Sequence, residues 1–155
     1  MDFKIEKDID HSQAFTRNLS QLKGVSIKAG ITKRVANITN DKSDTKLFEY
    51  ASVNEFGVFG RVPSRPFLRS TFDDKEKSWF GIIDSKIESV LTELGGASKT
   101  TEQVGQIMKE AIKGKIKSNI PPPNAPETLA NKQGSNTLID TGLMLNSIEY
   151  EVIKK

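Results

Sequence analysis

Pro63 and Pro66 stand close together, preceded by Gly57 and Gly60 and interleaved with Arg61, Arg65 and Arg69. Each proline ring locks its own φ and pushes the preceding residue, Val62 or Arg65, into extended backbone, so Val62 to Phe67 is expected to lie outside any helix. Gly57 and Gly60 give the backbone left-handed options on either side of Phe59. The stretch Asn54 to Phe72 therefore reads as a stiff, extended loop that displays Phe59, Arg61, Arg65, Phe67 and Arg69 and runs into the strongest helix signal of the chain. Phe and Arg carry much of the binding energy at protein interfaces, and a restrained loop loses less entropy when it docks. These five residues form the candidate partner-contact set. Gly57, Pro63 and Pro66 shape the loop, and Glu55 is placed to pair with Arg65 or Arg69. A phenylalanine here can equally fold back onto the core, and residue type leaves both open. On the interface reading, alanine at Arg65 and Phe67 abolishes assembly and leaves circular dichroism unchanged.

The rest of the chain alternates between the two hydrophobic periods. A helix is expected from Asp10 to Leu22, with Asp10 or Ser12 as N-cap, Phe15, Leu19 and Leu22 as its stripe, and Gly24 as its stop. Val25 to Ile31 alternates as a half-buried strand, and Val35 to Ile38 suggests a second. Asn40 to Asp44 reads as a polar turn. Leu47, Tyr50, Ala51 and Asn54 follow helical spacing up to Gly57. Phe72, Trp79, Phe80, Ile83, Ile87, Val90, Leu91 and Leu94 then share one long helical face, capped by Ser70 or Thr71 and ended by Gly95-Gly96. Thr100 to Gln103 forms a capping-box pattern ahead of Val104, Ile107, Met108, Ala111, Ile112 and Ile116. Ile120 to Pro126 suggests polyproline II, leading into an unusually long connection from 121 to 137. Ser147 to Ile153 alternates as a final strand. The sum is α+β: one domain over 1–155, with a small antiparallel sheet packed against two long amphipathic helices and two protruding loops. Residues 1–24 form an N-terminal helical extension to a core spanning 25–153.

Composition narrows the function classes. The chain of 155 residues carries 23 Lys plus Arg against 20 Asp plus Glu, a net +3 that is too mild and too interspersed to indicate nucleic-acid binding. There is no cysteine, so thiol chemistry and disulfides drop out. No apolar run approaches a membrane span, and the N-terminal residues do not read as a signal peptide, which leads to the expectation of a cytoplasmic protein. His11 is the single histidine, which removes His-based triads and multi-histidine metal sites within one chain. Asp73, Asp74, Glu76, Asp84 and Glu88 read as the solvated face of a helix. Lys109, Lys113, Lys115 and Lys117 have no aromatic neighbours for stacking on bases, so they too read as solvated. Asp140-Thr141-Gly142 is similar to the half-site of a dimeric aspartic hydrolase, in which two carboxylates share a proton. Its late position leaves too little chain for such an enzyme, and a turn or helix cap is the preferred account. No enzyme, cofactor, metal or small-molecule substrate is expected.

Two separated phrases carry a resemblance. Asn54-Glu55-Phe56-Gly57 followed by Pro63-Ser64-Arg65-Pro66-Phe67-Leu68-Arg69, and then Leu138-Ile139-Asp140-Thr141-Gly142-Leu143-Met144-Leu145-Asn146-Ser147-Ile148, resemble the paired motifs of bacteriophage tail-completion, head–tail joining and virion-morphogenesis proteins. The likeness spans about residues 25 to 153. It departs at Pro121-Pro122-Pro123, where many such proteins carry an aromatic-containing phrase. The resemblance implies an α+β subunit of a ring in the virion neck, made in the host cytoplasm, with further copies of itself and other neck, tail and connector proteins as partners. DNA would pass through the lumen without being read. A tail terminator capping the tail tube, or a minor capsid or assembly factor, is the alternative within the same class.

Overall fold

The alternating segment Val25–Gly30 finds its partner at the far end of the chain. In the computed structural model, which describes residues 11–39, 44–93, 95–132 and 134–154, β1 (Val25–Gly30) pairs antiparallel with β2 (Glu149–Lys154). The register runs from Val25 opposite Lys154 to Gly30 opposite Glu149. The helices among the described residues are α1 (His11–Leu22), α2 (Leu47–Phe56), α3 (Phe67–Ser85), α4 (Ile87–Thr92), α5 (Gly96–Lys117), α6 (Pro126–Ala130) and α7 (Leu143–Asn146). The fold is α+β. A two-stranded ribbon alone is marginal in water, and α5 supports it by lying across both strands while packing against α3. Gly105 permits the approach, since a Cβ there would collide with the Tyr150 ring. The Tyr150 hydroxyl donates to Glu102 at 2.9 Å and holds strand to helix. α3 reaches the sheet in its first turn, where Leu68 lies against Gly30. The main core gathers Leu47 and Ala51 of α2, Phe67 of α3, Ile112 and Ile116 of α5, and Leu138, Met144 and Ile148 from the C-terminal segment.

Val35 to Ile38 is not a strand. Val35 N and Ala36 N both donate to the Thr32 carbonyl, at 3.2 and 3.0 Å, so the chain winds into a turn. Side chains hold that turn against β2. The Arg34 Nη2 and Nε groups reach Glu149 at 2.5 and 3.2 Å, and the Thr32 hydroxyl donates to the same carboxylate at 3.0 Å. The hydrogen bond from Arg34, aided by Thr32 and opposed by slight desolvation, holds the Glu149 carboxyl below its usual range. A carboxyl lowered in the folded state stabilises the fold above its unfolded value, and that contribution is lost as pH falls through the folded value. Glu149→Gln is therefore expected to be less stable than wild type near neutrality, with the difference closing as pH falls below about 4, the ordinary carboxylate range, so that its acid unfolding is less steep. Thermal melts across that interval check it, and identical acid limbs for both proteins would refute it.

The long amphipathic stretch after Phe67 breaks into two helices at Lys86, whose φ of −111° and ψ of 5° leave the α region. α3 begins at Phe67, so Phe67 is helical and Ser70 and Thr71 lie inside the first turns rather than at a cap. Their hydroxyls bond back to the carbonyls of Pro66 and Phe67. Likewise α5 begins at Gly96, one turn ahead of the capping-box pattern at Thr100 to Gln103. Gly95 turns the chain in the left-handed region, with φ of 74°. Gly96 then packs so tightly that a Cβ would collide with the Ser89 carbonyl oxygen. Because that neighbour is backbone, Gly96→Ala is expected to cost about 2 kcal/mol, within the range for overpacking. A denaturant melt reads it, and a loss under half that size would mean that the junction relaxes freely.

Gly24, in the left-handed region as expected, turns the chain just after α1, but the helix is rolled about its axis. Phe15 and Leu19 are exposed, while Asn18 is buried and donates through Nδ2 to the carbonyls of Glu93 at 2.6 Å and Leu91 at 3.3 Å. The last carbonyls of a helix lack intrahelical partners. Those at the end of α4 recruit an asparagine, and that recruitment decides which face of α1 turns inward. The expected N-cap Asp10, the His11 side chain, the turn from Asn40 to Ser43 and the apolar position Leu94 lie outside the described residues.

Candidate functional site

The Pro-Gly stretch is organised by one buried carboxylate. α2 carries Asn54 and Glu55 at its buried end, and Gly57 closes it with φ of 75°. Glu55 is 2% exposed. Its Oε2 accepts from Leu68 N at 2.8 Å, and its Oε1 accepts from Arg69 N and Arg69 Nε, both at 3.0 Å. The backbone donors Leu68 N and Arg69 N sit in the first turn of α3, where N–H groups lack helical partners and the dipole favours negative charge. Glu55 thus caps α3 from another helix. Its backbone carbonyl accepts from Ser64 Oγ and Arg69 Nη2, both at 2.8 Å, while Arg65 N donates to the Asn54 carbonyl at 2.7 Å. Of the two arginines considered as partners for Glu55, Arg69 takes the role. Its guanidinium also lies 4.7 Å from the centroid of the Phe56 ring.

The five candidate contact residues separate. Phe67 is fully buried at 0% exposure and Arg65 is 4% exposed, so both leave the surface set. Phe67 drops into the main core because α3 starts at that residue. Arg65 turns inward to the Pro-rich segment, donating through Nε to the Pro122 carbonyl at 2.9 Å and through Nη2 to the Pro123 carbonyl at 3.2 Å. Burial lowers its pKa, opposed by nearby Tyr50. Phe59 and Arg61 remain exposed, at the tip of a tight hairpin closed by reciprocal bonds between Val58 and Val62 at 2.8 and 2.9 Å. Gly57 is required at its stem, since a Cβ would lie 2.8 Å from Ser64 N and 2.9 Å from the Val62 carbonyl oxygen. Pro63 is exposed and Pro66 half-buried at the start of α3.

The connection from 121 to 137 is anchored at its base. Pro121-Pro122 is cis and the run departs from continuous polyproline II, while α6 lies within the connection. Thr137 N donates to Asn119 Oδ1 at 2.7 Å, and Thr137 Oγ1 donates to the Ile120 carbonyl at 2.9 Å. Asn136 reaches the carbonyls of Ile116 and Lys117, and Lys132 Nζ donates to the carbonyls of Asn136 and Thr137 at 2.8 and 3.0 Å. Burial lowers the Lys132 pKa against the opposing pull of Asp140. These polar residues, spread through a segment with little hydrophobic pattern, gave no periodic signal in the sequence.

In the C-terminal phrase, Gly142 adopts φ of 82° ahead of α7, and Thr141 Oγ1 accepts from Leu143 N at 3.3 Å. Thr141 and Gly142 thus act as a turn. Asp140 is half-buried near Tyr50, whose hydroxyl is pushed up by burial and by that carboxylate. The cavity against Asp140 holds about 20 Å³, close to the space of one water molecule. Among the described residues no three His, Cys, Asp or Glu side chains gather to hold a metal, and no helix is long and apolar enough to cross a membrane.

A second surface feature carries no motif. Trp79 is buried with Phe72 edge-on at 5.7 Å and 70°. Beside them an apolar groove of about 350 Å³ opens between α3, α4, α5 and the start of β1. Adjacent aromatics at Trp79-Phe80 make the apolar arc of α3 wider than one packed face needs, and that width was its signal in the sequence. No family model matches the chain, and searches of curated proteins and of solved structures find no match.

Proposed function

We propose that this chain is a non-enzymatic structural subunit of a tailed bacteriophage virion, joining its neck as a tail-completion or head–tail joining ring protein. The observation that carries the reading is the meeting of the two motif phrases. Phe67 from the first packs in one core with Leu138, Met144 and Ile148 from the second. Arg65, between the two prolines, braces the segment that leads towards the second phrase. Residues far apart in sequence that share one core constrain each other, which gives a physical reason for the phrases to occur together.

An amber mutation in the encoding phage tests the proposal. Filled heads and complete tails that fail to join are expected, with gold-labelled antibody marking the neck of wild-type particles. Tails of uncontrolled length would move the protein to the tail terminator. Normal infectious particles lacking the protein would overturn the virion role.

A further inference from the structure

We infer that the apolar groove beside Trp79 receives the Phe59–Arg61 hairpin tip of a second copy of this chain. This deepens the ring reading above, and rests on it, by naming the contact between neighbouring subunits. The two surfaces match in apolar character and are opposite in charge. Phe59 is 104% exposed, so its ring is open to solvent and takes no part in the core. It is held out on a closed hairpin, at whose turn Gly60 has φ of 69° and open space around it. Arg61 is the single charged residue from Phe56 to Ser64. The groove presents Phe72, Phe80 and Ile87, which are 47%, 58% and 49% exposed. Among the described residues, Glu76 is the one charged residue in its lining.

A docked Phe59 ring would remove on the order of 150–250 Å² of apolar surface from water, the area an aromatic side chain buries. Arg61 would then lie at the edge, within reach of Glu76 of the neighbouring copy. Tip and groove are different patches of one subunit, so the contact is heterologous and propagates from copy to copy, closing into a ring when the rotation permits. The tip is pre-formed by backbone hydrogen bonds, which limits the ordering cost of docking.

Because the chain contains no cysteine, single-cysteine variants report the contact without background. Arg61→Cys and Glu76→Cys proteins, which keep the Phe59 ring and the groove aromatics, are mixed at high concentration under mild oxidation and are expected to form the mixed 61–76 disulfide in excess over either homodimer. In sedimentation runs at the same concentration, Arg61→Glu is expected to weaken self-association about tenfold, the scale of a close interfacial charge pair. Adding Glu76→Arg to that variant is expected to restore it. Equal or homodimer-dominated cross-linking, a wild-type protein that remains strictly monomeric, or a charge swap that fails to rescue would each overturn the contact. The assay needs no phage, so a negative result here with a neck-localised protein removes only this contact. A positive result with no neck phenotype removes only the virion assignment.

Discussion

Phe67→Ala is expected to remove about 4 kcal/mol of stability, within the range for emptying a buried aromatic site. For a domain whose total stability is on the order of 5–15 kcal/mol, that loss lowers the melting temperature by roughly 10 °C or more. Phe67 is fully buried at the first residue of α3, among side chains from α2, α5 and the C-terminal segment. Those elements converge from separate parts of the chain, and they cannot all close on the space a methyl group leaves. Arg65→Ala is expected to add about 2 kcal/mol, because two charge-assisted bonds to the Pro122 and Pro123 carbonyls disappear. The double variant should lose its near-ultraviolet circular dichroism at a temperature where wild type keeps it. The interface reading of these two residues required the opposite. Unchanged melting would return them to the surface set.

Glu55→Ala is expected to cost about 3 kcal/mol, as a lost helix cap together with two unsatisfied backbone donors. The donors are Leu68 N and Arg69 N, which both bond to the Glu55 carboxylate. Arg69→Ala should cost only about 1 kcal/mol, since its side chain is 55% exposed and a partly exposed ion pair contributes little. The ordering of the two variants is the informative result. Equal losses would make the ion pair, rather than the cap, the source of stability. Glu55→Gln should fall between, with one oxygen left to accept and an amide group facing the second donor. Chemical denaturation of the three variants gives the ordering directly.

Much of the fold was legible because it depends on short-range chemistry. The alternation at Val25–Gly30 and in the final strand, the closing of α2 at Gly57 and the stop at Gly24 follow from side-chain period and from positive φ at glycine. α3 and α5 begin ahead of their capping-type residues for one reason. Ser70-Thr71 and Thr100-Thr101 are good capping residues, but α3 is capped by a glutamate from another helix and α5 starts on a glycine pressed against Ser89. Neither partner is near in sequence. The roll of α1 was equally remote, because burying Asn18 makes sense only beside the carbonyls of Leu91 and Glu93.

The candidate site divides in the same way. Pro63, Pro66, Gly57 and Gly60 determined by themselves that a stiff, turned segment lies between α2 and α3, since ring closure and the missing Cβ restrict φ wherever the segment sits. Which of its side chains face outward was decided by tertiary structure alone. Phe59 and Phe67 are the same residue type, yet one is fully exposed and the other fully buried. Arg61, Arg65 and Arg69 likewise point to solvent, to proline carbonyls and to Glu55. A side chain's chemistry specifies what it can bind, and the partner it finds depends on which distant backbone the fold brings within about 3 Å, the reach of a hydrogen bond.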